Sequence, residues 1–207
     1  MVDLGAVCAA RWADPEVFTA AEWTRAERFY RQRRQHDEAL LAVRDKAMSL
    51  IREWTGRESR DVGSFGLRLN LESSDLDLGI GYPVEQRDVL IAALAGHAAF
   101  KGERVTRFPA AERPQGGSST TTRLVFAFTM DSVDLDLSAL TEEDFAVACR
   151  MLDDIEAHMT ERERIAHTWV KHLLRSAGRM NQYAEWKLVT YARFCPEFNW
   201  VPIPEPT

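Results

Sequence analysis

Val62 to Tyr82 reads V-G-S-F-G-L-R-L-N-L-E-S-S-D-L-D-L-G-I-G-Y. Gly63-Ser64 is a tight turn of small residues whose backbone N–H groups can face an anion. Asp75-Leu76-Asp77-Leu78 alternates charged and apolar residues, the period of a half-buried strand. Asp75 and Asp77 therefore share one face, while Leu76 and Leu78 point to a core. Two carboxylates one pleat apart repel each other unless a cation lies between them. Oxygen ligands of this kind suit Mg²⁺, which is commonly held by one or two carboxylates plus substrate phosphates.

Outward from this stretch, Leu124 to Met130 and Val133 to Leu137 read as two strands joined by a turn at Asp131-Ser132. The second strand repeats the acidic alternation as Ser132-Val133-Asp134-Leu135-Asp136-Leu137-Ser138, which puts Asp134 and Asp136 on one face. Arg104 to Phe108 alternates like a further strand, and Ser59 to Val62 is the strand expected to deliver the Gly-Ser turn.

Gly63-Ser64, the nine connecting residues from Phe65 to Ser73, and Ser74-Asp75-Leu76-Asp77-Leu78 resemble the Gly-Ser … Asp-x-Asp motif of the DNA polymerase β-like nucleotidyltransferase superfamily. The wording is closest to its poly(A) polymerases and terminal uridylyltransferases. The resemblance covers roughly Val62 to Leu140. It implies that Asp75 and Asp77 hold metal with the nucleotide triphosphate, that Gly63 and Ser64 bind the β- and γ-phosphates, and that a later strand supplies a third carboxylate. Asp136-Leu137-Ser138 resembles the family's Asp-aliphatic-Ser, so Asp136 is the favoured third ligand, with Asp134 still open. The polymerase-like members often place a C-terminal lysine on the triphosphate, which makes Lys171 a phosphate-ligand candidate. The cofactor implied is Mg²⁺, two ions, with Mn²⁺ as a substitute. Two positions depart from the family pattern. The strand before the turn reads Ser-Arg-Asp-Val where the family is strongly apolar, and Arg68 stands where the polymerase-like members often have glycine.

The whole chain agrees with one globular core carrying helical additions. It has 207 residues, 45% of them hydrophobic, with a net charge of −6. That charge gives no global pull toward nucleic acid. Three cysteines, Cys8, Cys149 and Cys195, are odd in number and lack metal-ligand spacing, so they read as reduced thiols. His36, His97, His158, His167 and His172 form no metal pattern either. There is no apolar run of membrane-spanning length and no signal-peptide core, so the expectation is a cytoplasmic protein without a membrane partner.

Asp14-Pro15-Glu16 looks like a helix start, and Thr19-x-x-Glu22 reads as a capping box opening a longer helix. Arg31-Gln32-Arg33-Arg34 reads as a solvated helix face, with a contact to phosphate or an acidic partner as the sharper reading. Leu40, Val43, Ala47, Leu50, Ile51 and Trp54 recur at helical spacing up to a stop at Gly56. Val84 to His97 is helical by the same test, and Pro109 to Arg123 is a surface loop. Thr141 caps a helix continued by Phe145, Ala148, Met151, Leu152 and Ile155, and Ile165, Trp169, Leu173 and Leu174 mark another. Tyr183 to Phe194 is a last helix. Lys171, Arg175 and Arg179 fall on one helix side, where a solvated face competes with phosphate binding. Trp169, Tyr183 and Trp186 can stack on a base, but core packing is favoured.

The expected fold is α+β: a nucleotidyltransferase-type mixed sheet flanked by N- and C-terminal helices. Its segments are an N-terminal helical segment (1–58), the nucleotidyltransferase core (59–140) and a C-terminal helical segment (141–207). The expected activity is two-metal transfer of a nucleoside monophosphate from a nucleoside triphosphate to a small-molecule or protein acceptor, releasing pyrophosphate. RNA is the less favoured acceptor, because the C-terminal segment looks short for a second polymerase domain and the net charge is negative. The alternatives are an RNA 3′-end nucleotidyltransferase and a non-catalytic nucleotide-binding regulatory module.

Overall fold

A computed structural model describes residues 18–71, 74–83, 86, 89–90, 104–108 and 123–179. Its elements in chain order are α1 (Ala20–Arg34), α2 (Asp37–Thr55), β1 (Ser59–Asp61), β2 (Leu76–Gly81), β3 (Arg104–Phe108), β4 (Arg123–Met130), β5 (Val133–Leu140), α3 (Glu142–His158) and α4 (Glu161–Ser176). The chain divides into two compact units. One is continuous from His36 to Glu156, and the other combines Met1–Gln35 with Ala157–Thr207.

The continuous unit holds a five-stranded sheet in the order β1-β2-β5-β4-β3. β2 and β5 run parallel, with Leu76 beside Leu135, Asp77 beside Asp136 and Leu78 beside Leu137. The other pairings are antiparallel, so the sheet is mixed as expected. β4 and β5 form a hairpin closing at Asp131 and Ser132, whose φ angles are 50° and 65°. Left-handed values at both central residues match the twist of the flanking strands. Lys46 of α2 reaches this turn and pairs with Asp131 at 2.7 Å. β5 continues past Leu137 to Leu140, because Ser138 and Ala139 go on pairing with both β2 and β4.

Leu76, Leu78 and Ile80 of β2 and Leu135, Leu137 and Ala139 of β5 point to one face, all 2% exposed or less. They pack with Phe126, Phe128 and Met130 of β4 and with Val43, Ala47 and Ile51 of α2. The helical spacing read for α2 thus marks its core face, and Gly56 ends the helix in the left-handed region at φ 65°. Arg57 at this end pairs with Glu142 at the start of α3. Thr141 caps α3 by accepting from the Asp144 N–H at 3.1 Å. The sheet unit therefore reaches beyond the 59–140 motif region at both ends, taking in α2 and most of α3.

In the other unit α1 packs against α4. Each opens with a capping box, Thr19 with Glu22 and Thr160 with Glu163. Arg162 lies over the Trp23 ring at 4.4 Å, and Phe29 meets both Trp169 and His172. Residue numbers rise together along the pair, so the two helices run in the same direction. Trp169 thus has the packing role expected of it. The helix expected at Tyr183–Phe194, with Tyr183 and Trp186, lies outside the described residues, as do Asp14-Pro15-Glu16, Cys8, Cys195 and most of Val84–His97 and Pro109–Arg123.

Candidate active site

β2 carries its acids on the face opposite the core. Leu76 and Leu78 are buried, Asp77 between them is half-buried, and Asp75 just ahead of the strand is exposed. Since Asp77 and Asp136 are register partners on parallel strands, both carboxylates leave the same face of neighbouring strands, whose backbones lie about 4.8 Å apart. Further along that face, Gly79 and Gly81 are covered by α3. A Cβ on Gly79 would come within 3.4 Å of the Phe145 ring, and one on Gly81 within 3.2 Å. The helix closes the downstream part of the face.

The Gly-Ser turn sits directly on this acid. The Val62 N–H donates to the Asp77 carbonyl at 2.8 Å, which pins the turn to β2. A Cβ on Gly63 would lie 2.5 Å from the Asp77 Cβ and 2.7 Å from its Cγ. Glycine is required here by the close approach of the Asp77 side chain. After the turn, the Leu69 N–H donates to the Ser64 carbonyl at 2.7 Å and the Arg68 N–H to the Phe65 carbonyl at 2.8 Å. Arg68 has φ 60°, a left-handed conformation that glycine adopts at no steric cost. That is the physical reason for a glycine preference at a position where this chain has arginine. Phe65, Leu67, Leu69 and Leu71 are buried and anchor the connection. Ser74 then ties its end, accepting from the Leu71 N–H at 2.9 Å and donating its own N–H to the Leu71 carbonyl at 3.0 Å.

Asp61 is a residue whose role the sequence reading missed. It ends β1, is 9% exposed, and accepts the Gly63 N–H on Oδ1 at 3.2 Å, while its buried Oδ2 has no hydrogen-bond partner. Burial pushes its carboxyl up from 3.8 to about 6, and the nearby Asp77 carboxylate adds to the rise. Hydrogen bonds from the Gly63 and Gly66 backbone and the charge of Arg44 pull the other way. The Gly63 N–H, expected at a phosphate, therefore points at Asp61. The signal for it was an aspartate two residues ahead of the glycine, a spacing at which Asp side chains hold turns.

Of the residues singled out from the sequence, Gly63, Ser64, Asp75, Asp77 and Asp136 all belong to the sheet unit. Asp77 and Asp136 are side by side, and Gly63 lies on Asp77. Asp134, one pleat along from Asp136, is exposed and accepts from the Thr129 hydroxyl at 2.8 Å. Lys171 belongs to the helical unit, where it is 5% exposed. Among the described residues no three acidic, histidine or cysteine side chains converge as a ready-made metal cage. The donor set still fits Mg²⁺, which takes one or two carboxylates and completes its shell with phosphates and water.

No protein-family model matches the chain, and no curated protein sequence does. Among solved structures, the chain is similar to a cytoplasmic RNA terminal U-transferase, with 14% identity, a TM-score of 0.48, and coverage of 91% of this chain and 53% of that one. It is also similar to the polymerase core of TRAMP, an RNA surveillance complex, with 19% identity, a TM-score of 0.44, and coverage of 78% and 53%. The chain thus spans about half the length of each. No helix among the described residues is long and apolar enough to cross a membrane.

Proposed function

We propose that this protein is a metal-dependent nucleotidyltransferase that moves a nucleoside monophosphate from a nucleoside triphosphate to an acceptor hydroxyl. The observation that carries the reading is the register pairing of Asp77 with Asp136 beneath the Gly63 turn. Asp75, Asp77 and Asp136 would hold Mg²⁺ or Mn²⁺, which when bound neutralises phosphate charge and activates the attacking oxygen. Ser64 donates from its hydroxyl and N–H to the β- and γ-phosphates, while Gly63 supplies the close approach. Asp136 takes the proton from the acceptor hydroxyl. The acceptor oxygen bonds to the α-phosphorus, the bond to the β-phosphate oxygen breaks, and pyrophosphate leaves.

The net charge of −6 favours a small molecule or a protein side chain as acceptor. An RNA 3′ end is the second reading. It is favoured by the helical unit, which joins α1 to α4 and draws on both the N-terminal and the C-terminal segment. The expectation that a second domain lacks room was drawn from the C-terminal segment only. The test incubates the purified chain with labelled nucleoside triphosphates, Mg²⁺ and either total RNA or a protein and metabolite extract, and follows pyrophosphate. Release that requires Mg²⁺ and vanishes in Asp77→Ala supports the reading. Full release by a folded Asp77→Ala protein refutes it.

A further inference from the structure

The Gly63 turn has an aspartate on either side of it. Asp77 stands on the face of β2 opposite the core, and a Cβ on Gly63 would run into its side chain. Asp61 comes from the other side. It is the antiparallel register partner of Leu78, so the two side chains share a face, and Leu78 is fully buried in the core. From there the buried Asp61 takes the Gly63 N–H on Oδ1 at 3.2 Å. A Cβ on Gly66 would lie 3.1 Å from the Asp61 Cγ and 3.3 Å from its Oδ1, so the carboxylate also lies against Gly66, whose backbone N–H bonds to it. One carboxylate thus holds both ends of Gly63-Ser64-Phe65-Gly66.

A buried carboxylate is costly unless other groups compensate it. Here the compensating groups are the two turn N–H groups and the charge of Arg44 on α2. That guanidinium is also bonded to Asp45 at 2.7 Å and lies 5.9 Å from the centroid of the Phe65 ring. The Asp61 Oδ2 has no hydrogen-bond partner among the described residues, so the bonds this acid makes are concentrated on the turn. Backbone N–H groups of a tight turn commonly face a bound anion. In this chain the anion is built in. The turn therefore keeps its shape when no nucleotide is present, and Ser64 lies between its two held residues. Asp61 itself is fixed by strand pairing, and the next residue, Val62, donates its N–H to the Asp77 carbonyl at 2.8 Å.

We propose that Asp61 is a positioning residue of the candidate site, whose buried carboxylate fixes the Gly63–Gly66 turn beside Asp77 before nucleotide arrives and so sets the affinity for the triphosphate. In this role it touches neither nucleotide nor metal. A turn that holds β- and γ-phosphates acts equally on bound substrate and transition state, because the reacting bonds are at the α-phosphorus. Loosening it raises KM and leaves kcat nearly unchanged. That consequence rests on the nucleotidyl-transfer reading, whereas the grip on the turn rests on geometry alone.

The test compares the full chain with Asp61→Asn, Asp61→Ala and Asp61→Leu. Asparagine keeps an acceptor oxygen for the two N–H groups. Alanine removes it, and leucine removes it while filling the same space, which keeps the test decisive if the alanine protein does not fold. Amide hydrogen exchange is measured first, in chelator and without nucleotide. In Asp61→Ala and Asp61→Leu the Gly63 and Gly66 amides exchange roughly tenfold faster or more, while Leu78 and Leu137 keep their protection. Asp61→Asn stays within about threefold of wild type at all four. Pyrophosphate release is then followed against nucleoside triphosphate concentration at saturating Mg²⁺. The alanine and leucine proteins show KM raised roughly tenfold with kcat within about threefold, and Asp61→Asn restores KM. A merely structural role lowers the folded fraction, so apparent kcat falls with KM unchanged, and that result overturns the proposal. So does unchanged exchange at Gly63 and Gly66 without the carboxylate, or an asparagine protein as impaired as the alanine one. A wild-type chain that releases no pyrophosphate refutes the transfer reading, and with it the effect on affinity; the exchange result is independent of that failure.

Discussion

Replacing Gly63 by alanine should cost both stability and turnover through a single clash. The new Cβ falls 2.5 Å from the Asp77 Cβ and 2.7 Å from its Cγ, about 1 Å inside ordinary carbon–carbon contact. The turn cannot simply retreat, because the Val62 N–H is bonded to the Asp77 carbonyl at 2.8 Å and the Gly63 N–H to Asp61 at 3.2 Å. Overpacking of this size costs about 1–3 kcal/mol. The atoms that must yield belong to the proposed metal ligand, so a shift of about 1 Å there should lower turnover roughly a hundredfold. Urea denaturation measures the first effect and pyrophosphate release the second. Asp77→Gly removes the opposing atoms, so in that background the cost of Gly63→Ala should fall below about 0.5 kcal/mol, a coupling read from the double-mutant cycle. An equal cost in both backgrounds would show that the alanine meets something other than Asp77.

Asp136→Asn should lose far more activity than Asp134→Asn, because Asp136 is the neighbour of Asp77 while Asp134 is held by Thr129; rates of the two purified variants decide, and the reverse order would move the third-ligand role to Asp134. The raised Asp61 carboxyl means that the folded protein binds its proton more tightly than the unfolded chain, so this group's contribution to stability is complete below 3.8 and is lost as pH rises through about 6. Denaturation in chelator across that range should therefore show Asp61→Asn gaining about 3 kcal/mol relative to wild type as pH rises, and a flat difference would contradict the burial of the charge. Arg68→Gly relieves a left-handed residue on an exposed side chain and should raise stability by a few tenths to about 1 kcal/mol in the same assay, whereas a loss would mean that the arginine side chain contributes more than its backbone costs.

What could be read from the sequence was what alternates or punctuates locally. Asp75-Leu76-Asp77-Leu78 announces its two faces by period alone, and the buried Leu76 and Leu78 bear that out. Gly56 marks a helix end that needs a left-handed residue, and Thr19 and Thr141 are caps recognisable from the acids that follow them. What could not be read were relations across sequence distance. Nothing local in Ser-Arg-Asp-Val indicates that Asp61 is folded under the Gly63 turn, since a buried carboxylate is recognised by its surroundings and not by its type. Arg33 has the same side chain as Arg31 two places earlier, yet one is buried and the other exposed, a difference set by tertiary packing and not by residue type. The parallel pairing of β2 with β5 is likewise set by residues more than fifty positions apart.

The helical unit draws on both sides of a continuous sheet unit, and this has a consequence for synthesis. The ribosome releases α1 before α4, with Trp23 and Phe29 still lacking the α4 side chains that they meet. More than a hundred residues must emerge before α4 follows. The sheet unit, contiguous along the chain, can close in that interval because all its strands are already out of the exit tunnel. Folding thus has a built-in order. The middle of the chain matures first, and α1 waits, exposed to chaperones and proteases, until α4 arrives.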